Sequence, residues 1–195
     1  MAWQFPVSTS TSSTFAVNLV STESAFVAKG VLVASTGNDA IHGTGSDHQV
    51  VIAGTAAAYG FYAVHLGDSA LNDHDNSITV EAPGEIRSFG GFAIVLEGYQ
   101  AQVTNAGLVY GGAGGIYLTG TSAGTVSTIV NDGVITSGVI GIARFASTET
   151  VVFTNSGNAF GSDRIWQLFG PRLDGARPGH QYWPHIRNDR SRRRQ

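Results

Sequence analysis

The sequence predicts an all-β chain wound as a right-handed parallel β-helix of about six coils, followed by a disordered basic tail. Three observations carry that expectation. First, an Asn-x-Gly corner between short apolar segments recurs at Val103-Thr104-Asn105-Ala106-Gly107-Leu108-Val109, Ile129-Val130-Asn131-Asp132-Gly133-Val134-Ile135 and Phe153-Thr154-Asn155-Ser156-Gly157. The asparagines stand 26 and 24 positions apart, a period at which a unit can bury its apolar face only against its neighbours. Second, Gly60-Phe61-Tyr62-Ala63-Val64-His65-Leu66-Gly67 resembles Gly91-Phe92-Ala93-Ile94-Val95-Leu96-Glu97-Gly98, with shorter versions at Gly115-Ile116-Tyr117-Leu118 and Gly141-Ile142-Ala143. Third, glycine supplies 26 of 195 residues and charged residues only 13%. That balance suits pleated surfaces joined by tight turns.

In chain order, residues 1–15 read as a Ser/Thr-rich cap or tail in which Trp3 and Phe5 can cover one end of the rod. The segment has no Lys or Arg and no apolar stretch, so it is not an N-terminal signal peptide. Residues 16–162 read as the repeat domain. Each unit is a strand, an Asn-x-Gly corner, a second strand, a Gly-rich corner, a third strand and a variable loop. Stacking in register about 4.8 Å apart places alternate side chains in the bore. Glycine is expected at positive-φ corners, and Asn105, Asn131 and Asn155 are expected to hydrogen-bond as a ladder, with Gly107, Gly133 and Gly157 beside them.

Two features interrupt this pattern. Residues 68–77 are an insertion between third and first strands, which a solenoid accommodates as a loop on one face. Arg144 aligns with Leu118 at an inward position, so that strand is expected to stop early.

Residues 163–195 obey different rules. The body holds three basic residues against eleven acidic, a balance of −8, whereas the tail holds eight Arg against three Asp, +5. Shifting the codons of residues 179–195 by one base permits V-T-N-T-G-H-I-S-G-T-I-D-L-G-A-G-N, with its first asparagine at Gln181, 26 positions after Asn155. A frameshift explains the arginine-rich composition without a nucleic-acid ligand and makes the tail a segment never selected to fold.

No cysteine is present, which removes disulfides and thiolate chemistry. No run of 18 apolar residues spans a membrane. None of the six histidines forms HxxxH or HExxH, which argues against zinc, and His65 reads as an outward strand residue beside Val64. Walker and Rossmann patterns are missing. Glu81, Glu85 and Glu97 read as exposed turn residues on adjacent coils. No catalytic residue and no organic cofactor is expected.

Through Thr104-Asn105-Ala106-Gly107, Val130-Asn131-Asp132-Gly133 and Thr154-Asn155-Ser156-Gly157, residues 15–160 resemble the repetitive region of bacterial haemolysin-type (RTX-like) calcium-binding proteins and related β-helical adhesins. The resemblance implies a secreted or cell-surface location. It also directs attention to calcium. Gly37-Asn38-Asp39-Ala40-Ile41-His42-Gly43-Thr44-Gly45-Ser46-Asp47 is similar to two degenerate calcium nonapeptides, with Asp39 and Asp47 eight positions apart instead of nine. Asp73-His74-Asp75-Asn76 alternates oxygen ligands as an EF-hand opens, but lacks the sixth-position Gly and closing Glu. Asp39, Asp47, Asp73 and Asp75 are therefore the candidate calcium ligands, with two solvated β-turns as the competing reading.

The expected function is non-enzymatic: a structural or binding solenoid contacting polysaccharide or a cell-surface protein. The alternatives are a calcium-binding repeat protein with most ion sites beyond the frameshift, and a polysaccharide-acting β-helix enzyme. The last needs clustered Asp, Lys, Arg and His, yet the body's only cations are Lys29, Arg87 and Arg144, on three different coils. Exposed strand edges at the rod ends predict self-association.

Overall fold

A computed structural model describes residues 2–20, 22–145 and 148–161 with their side chains, and residues 164–169 by backbone alone. The described residues contain 21 strands and no helix. Three strands make each coil. The first coil is β1 (Trp3–Gln4), β2 (Thr9–Thr11) and β3 (Val17–Leu19), the second β4 (Ser24–Val27), β5 (Leu32–Ser35) and β6 (Ile41–Gly43). Then come β7 (Gln49–Ile52), β8 (Thr55–Ala58), β9 (Val64–Leu66), and β10 (Ser77–Val80), β11 (Glu85–Ser88), β12 (Phe92–Leu96). The last three coils are β13 (Gln102–Asn105), β14 (Leu108–Gly111), β15 (Gly114–Leu118); β16 (Val126–Asn131), β17 (Val134–Ser137), β18 (Ile140–Phe145); and β19 (Thr150–Asn155), β20 (Asn158–Phe160), β21 (Arg164–Phe169).

Every third strand pairs in parallel with its counterpart one coil away, which builds three seven-stranded sheets around one bore. The expected parallel β-helix is the observed architecture, its seven stacked strands per sheet spanning about six turns from the first coil to the last.

Strand alternation fills the bore with columns of like residues. In the first sheet, Ala25, Val50, Ile78, Val103, Ile129 and Phe153 lie in one register line. The second sheet contributes Val33, Ala56, Ile86, Val109 and Ile135, and the third Ile41, Val64, Ile94, Ile116 and Ile142. All are buried. Each aliphatic side chain removed from water this way contributes about 1.5–3 kcal/mol before entropy is charged against it.

The asparagine ladder forms as expected. Asn105 Nδ2 donates to Asn131 Oδ1 at 2.7 Å, and Asn131 Nδ2 to Asn155 Oδ1 at 2.6 Å. The same register line continues toward the N-terminus as Val80, Ile52 and Val27, so apolar side chains replace the amides in earlier coils.

The corner glycines have a different cause from the one expected. Gly107, Gly133 and Gly157 do not adopt positive φ. Their missing side chains instead admit the carbonyl of the coil below. A Cβ on Gly133 would stand 2.2 Å from Gly107 O, and one on Gly157 would stand 2.1 Å from Gly133 O. Left-handed backbone occurs at Gly67 and Gly98, which close the third strands of their coils.

Three other expectations are corrected. β18 does not stop before Arg144 but continues to Phe145. Arg144 does align with Leu118, yet its guanidinium donates to the Glu149 carbonyl, so a cation is tolerated at the edge of the bore. Residues 1–15, expected outside the repeat domain, include β1 and β2, which pair with β4 and β5 as part of the first coil. At the other end, β21 extends the third sheet beyond residue 162, where the repeat was expected to end. Residues 170–195, and with them most of the expected frameshifted tail, lie outside the described residues.

Candidate functional site

The richest chemical cluster lies on the outer face of the third sheet. In β6, Ile41 points into the bore and His42 outward; in β9, Val64 points in and His65 outward. Parallel pairing then sets His42 beside His65, one coil apart. Asp39, just before β6, is buried beneath both. Its Oδ1 accepts the Tyr62 backbone N–H at 3.0 Å, while its Oδ2 faces His42 Nδ1 and His65 Nδ1, each at 3.1 Å. One carboxylate oxygen thus serves two imidazoles.

Aromatic packing holds the rings. His42 stacks on Phe15, with centroids 4.1 Å apart and planes within 6°. Tyr62 meets His65 edge-on at 5.1 Å. On the far side of His65, Nε2 lies 3.4 Å from Glu97 Oε1. That separation falls short of a hydrogen bond, and the buried Nε2 has no hydrogen-bond partner. Phe92 and Tyr117 continue the aromatic surface along the same sheet, with centroids 5.0 Å apart.

The electrostatics follow from this packing. Burial pushes the Asp39 carboxyl up, but hydrogen bonds from His42, His65 and the Tyr62 N–H outweigh it and hold the pKa at about 2. The phenol of Tyr62 is raised, first by burial and then by the charges of Asp39 and Glu97. Tyr117 is raised by burial, with Tyr62 and Glu97 adding to it. These groups make an anionic stretch of the sheet face, which favours a cation.

The four candidate calcium ligands separate into three places. Asp39 joins the two histidines. Asp73 is buried, and its Oδ2 accepts the N–H groups of Asp68 and Ser69 at 2.7 and 2.9 Å, closing the inserted loop upon itself. Asp47 and Asp75 come together with His74, their ligand atoms within 4.8 Å of one another. His74 Nδ1 lies 3.0 Å from Asp75 Oδ2, and the Asp47 N–H donates to the His74 carbonyl. Both aspartates have positive φ, at 64° and 57°. Glu81, Glu85 and Glu97 occupy one coil instead of adjacent ones: Glu81 and Glu85 flank the corner between β10 and β11, Glu97 follows β12, and Glu85 pairs with Arg87 at 2.7 Å.

A second surface feature was not anticipated. At the corner after the second sheet, Tyr59 and Phe89 stand one coil apart with ring centroids 6.4 Å apart, and Phe89 lies 6.4 Å from Tyr110 on the next coil. Tyr59 is 68% exposed and Phe89 56%.

Sequence reasoning missed the histidine pair because it sought ligands within one segment. Its trace is the triplet Ala40-Ile41-His42, repeated as Ala63-Val64-His65 one coil later. No protein-family model, curated protein or solved structure matches the chain. The fold itself defines a β-solenoid of repeated coils, and no helix among the described residues is long and apolar enough to cross a membrane.

Proposed function

We propose that the chain is a non-enzymatic binding solenoid of a secreted or surface-associated bacterial repeat protein, and that its lateral face contacts polysaccharide. The observation that carries this reading is the ladder Tyr59–Phe89–Tyr110, three rings on three successive coils, the first two exposed and Tyr110 half-buried. Monomeric folds seldom leave contiguous aromatic surface exposed unless a partner covers it. Sugar rings present flat C–H faces that stack on such rings, and Arg87, in register with Tyr110 and paired with Glu85, supplies polar groups beside them. Against a site of clustered Asp, Lys, Arg and His, the cations Lys29, Arg87 and Arg144 belong to different coils, so among the described residues no two of them gather at one group of carboxylates.

A glycan array followed by calorimetry tests the proposal. The expected result is saturable binding of an extended polysaccharide that falls at least 10-fold in a Tyr59→Ser/Phe89→Ser double variant with unchanged melting temperature. Absence of glycan binding, or binding indifferent to both rings, would overturn it. Unsaturated or reducing-end products appearing from a bound polysaccharide would overturn the non-enzymatic part.

The convergence of Asp47 and Asp75 in one loop cluster favours calcium as a second reading. Millimolar calcium is then expected to raise the melting temperature by mass action, and Asp75→Asn to abolish the rise. Unchanged melting in calcium removes that reading.

A further inference from the structure

We propose that Asp39, His42 and His65 form a site for one divalent transition-metal ion of the zinc class, with Glu97 as the outer carboxylate orienting His65. The donors are Asp39 Oδ2 and the two Nδ1 atoms, all within 4.8 Å of one another. Tetrahedral bonds of about 2.0–2.1 Å set neighbouring donor atoms about 3.3 Å apart. The two Nδ1···Oδ2 separations, both 3.1 Å, lie within a few tenths of an ångström of that spacing.

A separate observation points to a cation at this position. A neutral imidazole has a single N–H. His65 faces a carboxylate oxygen on each side, Asp39 Oδ2 at Nδ1 and Glu97 Oε1 at Nε2. With the hydrogen on Nδ1, the buried Nε2 presents its lone pair to Glu97, and it has no hydrogen-bond partner. A metal on Nδ1 reverses this: the hydrogen moves to Nε2 and Glu97 accepts it. Histidine ligands to metals generally donate their second nitrogen to a carboxylate or carbonyl in this way. The opposite Asp39 oxygen is already held by the Tyr62 N–H, and His42 is clamped against Phe15, so the ligands are preorganised.

The ion's class follows from the donors. Two nitrogens out of three suit zinc and its first-row neighbours, whereas calcium takes six to eight oxygens. The ion pairs of Asp39 and Glu97 are all with histidine, so among the described residues neither carboxylate is neutralised by lysine or arginine. Three protein ligands on an outer sheet face leave a fourth position open to water or a partner's donor atom. This proposal is independent of the glycan reading, which concerns a different corner.

The test uses the 195-residue chain stripped with chelator, titrated with Zn²⁺ by calorimetry and with Co²⁺ by visible absorption. One equivalent is expected to bind, with intense Co²⁺ bands of a low-coordinate N/O site, and millimolar Ca²⁺ is expected not to compete. His65→Gln should remove the bands, and His74→Gln, in the other cluster, should leave them intact. Glu97→Gln, which alters a partly exposed carboxylate, should weaken zinc about 10–100-fold without changing the metal-free melting temperature. That variant decides the matter if His65→Gln does not fold. Imidazole ¹⁵N spectra should show the His65 hydrogen on Nε2 once zinc is added. Lack of saturable uptake by the unmodified chain, uptake that survives His65→Gln or is indifferent to Glu97→Gln, or loss of uptake in His74→Gln would overturn the assignment.

Discussion

Asn131 shows how much one buried amide can specify. Its Oδ1 accepts from Asn105, and its Nδ2 reaches Asn155 Oδ1 and the Asn158 carbonyl at 3.1 Å. Asn131→Asp keeps the shape but turns the donor side into an oxygen facing two oxygens, inside the rod. A loss of at least about 3 kcal/mol is expected in urea melts, since both charge burial and unpaired acceptors contribute. Replacing all three asparagines with valine should cost less than the sum of the single changes, because no half-satisfied amide remains and Val80 already occupies the line.

Glu149 gives a pH signature at the same scale. It is buried, and burial raises its pKa above the usual 4.5 despite hydrogen bonds, among them one from the Gln100 N–H at 3.1 Å. The folded state therefore holds the proton more tightly than the unfolded chain. Its stability contribution is fully present below about pH 4.5 and is lost as pH rises through the higher folded value. Thermal melts at pH 4 and pH 7.5 should show this decline in the unmodified chain and a flatter profile in Glu149→Gln.

At the level of strands and corners, the Asn-x-Gly turn couples two functions. The asparagine satisfies backbone and side-chain groups of neighbouring coils, and the glycine lets those coils approach. Gly133→Ala places a methyl 2.2 Å from Gly107 O, so backbone, not a flexible side chain, must move. A cost of about 1–3 kcal/mol is expected, with the surrounding β13–β16 and β16–β19 ladders losing amide-exchange protection first. Gly124→Ala at another corner meets no atom within 4 Å, but its φ of 85° still strains an L-residue. It should cost less and leave those ladders protected.

For the whole molecule, stacking leaves edges at the rod's ends. β1 pairs with β4 on one side only among the described residues, and near it Phe5 is 71% and Val7 75% exposed. Light scattering should show concentration-dependent self-association, reduced by Phe5→Lys/Val7→Lys, which charges that edge without touching the bore. A clean monomer at every concentration would contradict this.

Period and alternation were enough to read the architecture from the chain: the asparagine line, the paired Gly-to-Gly strands and the aliphatic columns are local patterns that stacking repeats. They were legible because a solenoid turns sequence spacing directly into spatial register. Arg144 and the corner glycines were legible in position but not in cause: a carbonyl of another coil decides the glycines, and the Glu149 carbonyl in the loop after β18 decides Arg144. The chemistry was least legible. Asp39 was identified in sequence, but as a neighbour of Asp47; only the wound chain sets it against His42 and His65, and sends Asp47 to His74 and Asp75. Repetition along the sequence determines which residues share a coil position, whereas the lengths of the intervening loops determine which side chains meet across coils, and that information exists only once the chain is folded.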